Sequence, residues 1–154
     1  MQPLRTLPDW RQWLPSLHEE VALREPASEL AVAAAEAALC VKFPDALTSL
    51  LRATDGVVGP FRYWLVWPAA QIASANLHYR NSPDLRGLYM PFDHLLFIGE
   101  VGNGDLIAYP IMGDGNARYK NDIFRWNHET DNRTWIANNL EQYLRGFTDG
   151  TIEA

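Results

Sequence analysis

The stretch LLFIGEVGNGDLIAYPI, residues 95–111, does most to decide the fold. An apolar run leads into the glycine-rich turn 102–105, and a second apolar run leads out of it. Asn and Gly tolerate the positive φ angles of a tight turn, so two strand-forming runs joined by Asn-Gly predict a β-hairpin. A third run, 123–126, alternates apolar and polar residues and precedes a polar turn at 129–132. The sequence therefore predicts an antiparallel sheet in this half of the chain.

Helical patterns lie on both sides of these strands. Ser28 is expected to cap an alanine-rich helix that ends near Leu39 and packs through Leu30, Ala34, Ala37 and Ala38. Pro44 is suited to open a second helix, and Asn138 to cap a last helix with Leu140, Tyr143, Leu144 and Phe147 on its apolar face. Helices first, strands in the middle and a helix last predict an α+β fold. We expect a single domain with a central, mostly antiparallel sheet flanked by N-terminal helices and a C-terminal helix.

The sequence also predicts which side chains are buried at Cys40 and in the segment 61–67. Cys40 lies in an apolar stretch and is expected to be a buried small hydrophobe. Residues 61–67 are predicted to form a strand. Alternation along it would bury one set of side chains and leave Trp64 as an exposed aromatic; the buried set would be Phe61, Tyr63, Leu65 and Trp67.

Composition limits the possible functions. The chain has 154 residues, 47% of them hydrophobic, which is enough for one core. Its net charge of −6 disfavours direct nucleic-acid binding, which needs a basic surface to displace counterions. The sequence has no apolar run of the ~20 residues that span a bilayer, and it has a single cysteine. Residues 1–10 lack the apolar core of a secretory signal. We therefore expect a cytoplasmic protein without a membrane association.

The segment AEAALCVKFPDALTSLLRATDGV, residues 35–57, resembles the helical signature of the SUKH superfamily, which includes bacterial toxin-immunity proteins and fungal cell-wall assembly regulators. The matching positions are Glu36, Leu39, Phe43-Pro44, Leu50-Leu51 and Asp55-Gly56, while Cys40 stands where glycine is usual. The later Gly104-Asp105 turn is similar to the strand–turn–strand of that superfamily. The resemblance covers roughly residues 28–147, so we expect an N-terminal Trp-containing extension over 1–27 and a SUKH-like domain over 28–154.

The resemblance implies a non-enzymatic role, because many bacterial members are immunity proteins that bind and neutralise a toxin domain. We expect no cofactor. The expected partner is a cognate toxin domain, of which a basic nuclease is the most natural kind.

The residues themselves suggest which surface would bind. Seven acidic and three basic residues between positions 93 and 131 leave a net charge of −4, mostly at turns. This acid either confers solubility or steers a basic partner into contact. For the second case the candidate partner-binding residues are Trp64, Glu100, Asp105, Asp122, Trp126 and Glu129, with a tryptophan as the anchor.

An enzymatic alternative remains open at this point. A small enzyme would need a site assembled from His94, His128 and nearby carboxylates, although no catalytic spacing is visible. The four histidines form no HxH or HExxH pattern, so the sequence predicts no metal site. A scaffold domain within a larger assembly is a third possibility.

Overall fold

The predicted hairpin is present and forms half of a four-stranded sheet. The computed structural model describes residues 6–111 and 121–152. The hairpin strands are β4 (Leu95–Glu100) and β5 (Leu106–Pro110), and β6 (Ile123–Trp126) and β7 (Arg133–Ala137) extend the sheet in the order β4-β5-β6-β7. All neighbouring strands are antiparallel. The Gly113–Asn116 turn that the sequence places between β5 and β6 lies outside the described residues.

A second, smaller antiparallel sheet precedes this one in the chain. It consists of β1 (Ala22–Leu23), β2 (Val57–Val58) and β3 (Trp64–Val66), in that order. The two sheets meet where the backbone N–H of Trp67 donates to the carbonyl of Ile98 at 2.7 Å. A Cβ atom on Gly99 would lie 2.1 Å from the Leu65 carbonyl oxygen, so only glycine fits at this junction.

The described residues contain six α-helices: α1 (Trp10–Leu17), α2 (Glu29–Leu39), α3 (Asp45–Ala53), α4 (Ala69–Asn81), α5 (Pro83–Arg86) and α6 (Leu140–Asp149). With the two antiparallel sheets they confirm the predicted α+β class. Pro44 occupies the N-cap of α3, and that helix buries the apolar stripe of Ala46, Leu47, Leu50 and Leu51. Two prolines and a glycine in residues 80–91 favour a loop, but this segment contains the end of α4 and all of α5.

Helix α2 begins as predicted but buries a different face. Ser28 Oγ accepts a hydrogen bond from the Ala31 N–H at 3.0 Å. The buried residues are Val32, Ala35 and Leu39, whereas Leu30 is 83% exposed. The expected face of Leu30, Ala34, Ala37 and Ala38 is therefore wrong. The helix is apolar nearly all round, so periodicity could not tell which stripe packs against α4.

Cys40 ends α2 in the left-handed conformation, with φ +53°. Its side chain is exposed, so the expectation of a buried small hydrophobe is wrong. The chain then turns into α3, and the Glu36 carboxylate accepts from the Phe43 N–H at 2.7 Å. Glu36 therefore holds the connection between the two helices.

The N-terminal segment packs into the same core as the rest of the chain. Trp10 and Leu14 of α1 are buried, and Trp10 Nε1 donates to Ser49 Oγ of α3 at 2.9 Å. Strand β1 pairs with β2. These contacts tie residues 6–27 to the sheet and helices, and the domain boundary at residues 27 and 28 stays a prediction.

Helix α6 begins one residue later than the predicted Asn138 cap implies. Asn139, not Asn138, is the N-cap; its Oδ1 accepts from the Gln142 N–H at 2.8 Å, and Gln142 Oε1 accepts from the Asn138 N–H at 2.6 Å. Leu140, Tyr143 and Leu144 are buried, and Phe147 is half-buried. The Tyr143 hydroxyl donates to the Leu65 carbonyl at 2.7 Å, which joins α6 to β3.

Candidate partner-binding site

The β4–β5 turn and the β6–β7 turn lie against each other and share a buried ion pair. Asp105 Oδ1 lies 2.6 Å from His128 Nδ1, and Asp105 Oδ2 accepts from Arg125 Nε at 2.8 Å. The side chain of Asp105 is only 3% exposed. Burial alone would raise the pKa of Asp105, but the hydrogen bonds from His128 and Arg125 outweigh it and hold the pKa below its ordinary value. This carboxylate is therefore ionised and already paired.

Asp131 plays a similar part in the β6–β7 turn. Its carboxylate accepts from Trp126 Nε1 at 2.7 Å, from the Met90 N–H at 2.9 Å and from Arg133 at 3.1 Å. Burial would raise the pKa of Asp131, but these hydrogen bonds lower it below its ordinary value. Asp131 thus fastens the segment before β4 to the far end of the sheet.

These pairings change the interpretation of the acidic turns. Asp105 and Trp126 are both buried, so the expectation that Asp105 is an exposed steering charge and Trp126 an accessible anchor is wrong. Their polar atoms are occupied by contacts within the chain, because a buried carboxylate or indole N–H needs a partner. The side chain of Glu129 is 78% exposed and Glu100 is half-buried, so these two remain available.

The other two candidates lie elsewhere. Asp122 immediately precedes β6, at the end opposite the β6–β7 turn, and accepts from Trp135 Nε1 at 3.2 Å. Trp64 is half-buried in β3, with the Arg24 guanidinium 5.4 Å from its ring centroid. The four acidic candidates therefore do not form one face.

Phe61 is more exposed than either tryptophan that the sequence offers as an anchor. Phe61 is 81% exposed, and both it and Arg62 have positive φ, +67° and +65°. Two consecutive non-glycine residues in this conformation cost roughly 1–2 kcal/mol each. Such strain persists only where surrounding contacts enforce it, and it concentrates at functional sites.

Phe61 borders an apolar groove of about 270 Å³. Tyr63 forms one wall and stacks on the β4–β5 turn, where a Cβ atom on Gly102 would lie 2.2 Å from its ring. Glu100 supplies an acidic side chain to the lining. We call this surface the Phe61 face; its residues are Pro60, Phe61, Tyr63, Leu65, Glu100, Val101, Phe147, Gly150 and Ile152.

Strand alternation missed this surface because the strand starts later than predicted. Residues Pro60–Arg62 form a 3₁₀ turn, and β3 begins only at Trp64. Leu65 and Trp67 are buried as expected, but Phe61 and Tyr63 are exposed, so that part of the prediction is wrong. The available signal was Gly59-Pro60, since proline at the first position of a helical turn delays the strand.

The geometry separates the two histidines of the enzymatic alternative. His94 precedes β4, and its carbonyl accepts from the Ile111 N–H at the open end of the hairpin. His128 contacts Asp105 at the turn end of the same hairpin. The six residues of β4 lie between, roughly 20 Å of strand. Within residues 6–111 and 121–152, no three His, Cys, Asp or Glu side chains come close enough together to hold a metal ion.

The model of the SMI1 / KNR4 family (SUKH-1) matches residues 26–146. The chain belongs to this family. The match begins just before α2, includes β2 to β7 and ends within α6, so the SMI1/KNR4 region contains the paired turns and most of the Phe61 face. The superfamily resemblance seen in the sequence is confirmed. No curated protein matches the chain. None of the described helices in this SMI1/KNR4 chain is long and apolar enough to cross a membrane.

Proposed function

We propose that this SMI1/KNR4 domain is a non-enzymatic protein-binding module that neutralises a cognate bacterial toxin by direct contact. The exposed Phe61 on strained backbone beside an apolar groove is the observation that carries the proposal. Large aromatic side chains dominate binding energy when they enter a pocket of the partner. The groove beside Phe61 would in turn accept an apolar side chain of the toxin.

Charge supports a basic partner, with a nuclease domain as the class that fits best. The chain carries a net charge of −6, and Glu100 lies in the lining of the Phe61 face. Glu129 adds an exposed carboxylate on the neighbouring turn. Such charges act mainly on the association rate, while the buried centre of an interface sets the dissociation rate. The single cysteine is consistent with a cytoplasmic setting for this encounter.

The first experiment removes the proposed anchor. The purified domain would be titrated against whichever toxin domain a neighbouring gene encodes, and survival of toxin-expressing cells would be scored in parallel. We expect Phe61→Ala to weaken binding at least about 30-fold, equivalent to about 2 kcal/mol, and to abolish protection. Leu30→Ala removes an equally exposed side chain from α2 and is the matched control. Equal affinities for both variants and the wild type would reject the Phe61 face.

A second experiment separates steering from anchoring. Replacing Glu100 and Glu129 together by Gln should slow association at low ionic strength and flatten its salt dependence, with little effect on dissociation. Trp64→Phe tests the remaining aromatic candidate and should leave both rates unchanged if Arg24 keeps that ring covered. A double Gln variant that associates as fast as the wild type at low salt would show that the two glutamates only confer solubility.

A further inference from the structure

A second cavity lies away from the Phe61 face. It has a volume of about 520 Å³ and lies between the end of α4, helix α5 and the segment 89–93. The volume falls within the range of about 300–1,000 Å³ typical of small-molecule sites. We call it the Arg80 pocket; its lining is Tyr79, Arg80, Asn81, Leu85, Arg86, Tyr89, Met90, Pro91, Phe92 and Asp93.

Arg80 is a partly buried cation that pairs with no carboxylate of the described residues. Its terminal nitrogens donate to the carbonyls of Leu39 at 3.4 Å and Leu95 at 3.2 Å, and its buried Nε has no hydrogen-bond partner in the described part of the chain. Across residues 6–111 and 121–152, no carboxylate lies within ion-pair distance of it. Burial lowers the pKa of Arg80, and the more distant Asp93 offsets this only in part. A guanidinium placed in this way is stabilised by any anion that reaches it.

The rest of the lining provides a second cation, a free hydroxyl and an apolar wall. Arg86 is exposed at the rim. In the described part of the chain the Tyr79 hydroxyl has no hydrogen-bond partner, and burial raises its pKa, so it stays a protonated donor. Two arginines against one aspartate make this pocket cationic on a chain whose net charge is −6.

The apolar wall is fixed before any ligand binds. Phe92 makes ring contacts with Tyr79 and Tyr89, with centroids 5.7 and 5.8 Å apart. The Tyr89 hydroxyl donates to the His128 carbonyl at 2.6 Å, and the Met90 N–H donates to Asp131. A preformed wall avoids the ordering cost that weakens binding to mobile segments.

We propose that the Arg80 pocket binds a small organic monoanion, with a carboxylate against Arg80 and Arg86 and an apolar or aromatic body against Tyr89 and Phe92. The Tyr79 hydroxyl donates to the same carboxylate. Asp93 lies at the rim and repels a second negative charge, so the pocket discriminates against dianions such as sulfate. The site is separate from the proposed toxin-binding groove, because the Arg80 pocket and the Phe61 face share no residue.

The test uses the full chain and phenylacetate as the probe. Backbone amide shifts of residues 79–93 would be followed by NMR during titration, with phenethyl alcohol as the uncharged analogue and sulfate as the dianion. We expect saturable shifts with a Kd of about 1 mM for phenylacetate, and binding at least about 10-fold weaker for the other two probes. Equal responses to phenylacetate and phenethyl alcohol, or no saturation with phenylacetate, would overturn the proposal.

Variants assign the binding to the named groups. Tyr79→Phe keeps the ring contacts and removes only the hydroxyl, and Arg86→Gln removes the rim cation; each should raise the Kd about 5-fold. Arg80→Gln should abolish saturable binding. Arg80→Lys keeps the charge without the planar fork and should bind with intermediate affinity, so it provides the test if Arg80→Gln does not fold. Arg52→Gln removes a cation from α3, outside the pocket, and should bind like the wild type. Unchanged binding in Tyr79→Phe and Arg80→Lys would place the anion elsewhere.

Discussion

The Asp105 carboxylate and the His128 imidazole join two turns that are 23 residues apart in the chain. Asp105 closes the β4–β5 turn and His128 opens the β6–β7 turn. The imidazole covers Gly104, where a Cβ atom would lie 2.9 Å from the ring. Glycine in the turn, the carboxylate beside it and the histidine above it therefore form one packed unit that aligns the two hairpins.

Asp105→Asn should destabilise the fold. The change removes the negative charge that contacts Arg125 and His128. The largely buried Arg125 guanidinium then has no carboxylate to pair with at this position. We expect a loss of about 2–3 kcal/mol in the free energy of unfolding at neutral pH, measured by urea denaturation. Glu129→Gln on the same turn removes an exposed charge and should change stability by less than about 0.5 kcal/mol. A loss as large in Glu129→Gln would mean that the turn responds to net charge instead of the buried pair.

The same pair predicts how stability depends on pH. The pKa of Asp105 is lower in the folded chain than its ordinary value of about 3.9. Its contribution is therefore complete above that value and is lost as pH falls through the folded pKa. The stability difference between wild type and Asp105→Asn should shrink progressively below about pH 4. A difference that stays constant down to about pH 2 would show that the carboxylate contributes through shape alone.

Local signals account for the parts of the fold that the sequence predicts correctly. The Asn-Gly turn specifies the β4–β5 hairpin within a few residues, and the stripe on α3 specifies its buried face. The burial of Asp105 depends on His128 and Arg125, which reach it only once the sheet has formed. A count of acidic residues therefore could not separate steering charges from structural ones.

The candidate binding surface was less predictable for a related reason. Phe61 and Leu65 are equally apolar, and their exposure differs because one lies in a 3₁₀ turn and the other in β3. On α2, Leu30 and Leu39 are the same residue type, but Leu30 is exposed and Leu39 is buried. Side-chain chemistry did not distinguish these pairs, and only the position of the neighbouring elements did.

Cys40→Gly should stabilise the protein. Cys40 adopts φ +53° at the end of α2, a conformation that glycine enters without the steric cost of a Cβ atom. We expect a gain of about 0.5–1 kcal/mol, measured by thermal and urea denaturation. Cys40→Ala removes the same exposed thiol but keeps Cβ, so its stability should stay near that of the wild type. Equal stabilisation by both substitutions would assign the effect to the thiol and not to the backbone.

Gly99→Ala should weaken the junction between the two sheets. An added Cβ atom would lie 2.1 Å from the Leu65 carbonyl oxygen, so the backbone of β3 or β4 has to move. We expect a cost of about 2–3 kcal/mol and faster hydrogen exchange at the Trp67 amide, which donates across this junction. Gly87→Ala is the matched control, because its Cβ would meet no atom within 4 Å. Normal protection of the Trp67 amide in Gly99→Ala would show that the junction tolerates a wider spacing.

Phe61→Gly tests whether the Phe61 face trades stability for binding. Glycine relieves the positive φ of residue 61, and the wild-type ring is mostly exposed, so little packing is lost. We expect Phe61→Gly to be about 0.5–1 kcal/mol more stable than Phe61→Ala by urea denaturation, and both variants to lose toxin binding. Leu88 is exposed and has no positive φ, so Leu88→Gly should instead be about 0.5–1 kcal/mol less stable than Leu88→Ala. A Phe61→Gly variant less stable than Phe61→Ala would show that residue 61 is unstrained, and the exposed ring alone would then have to support the proposed interface.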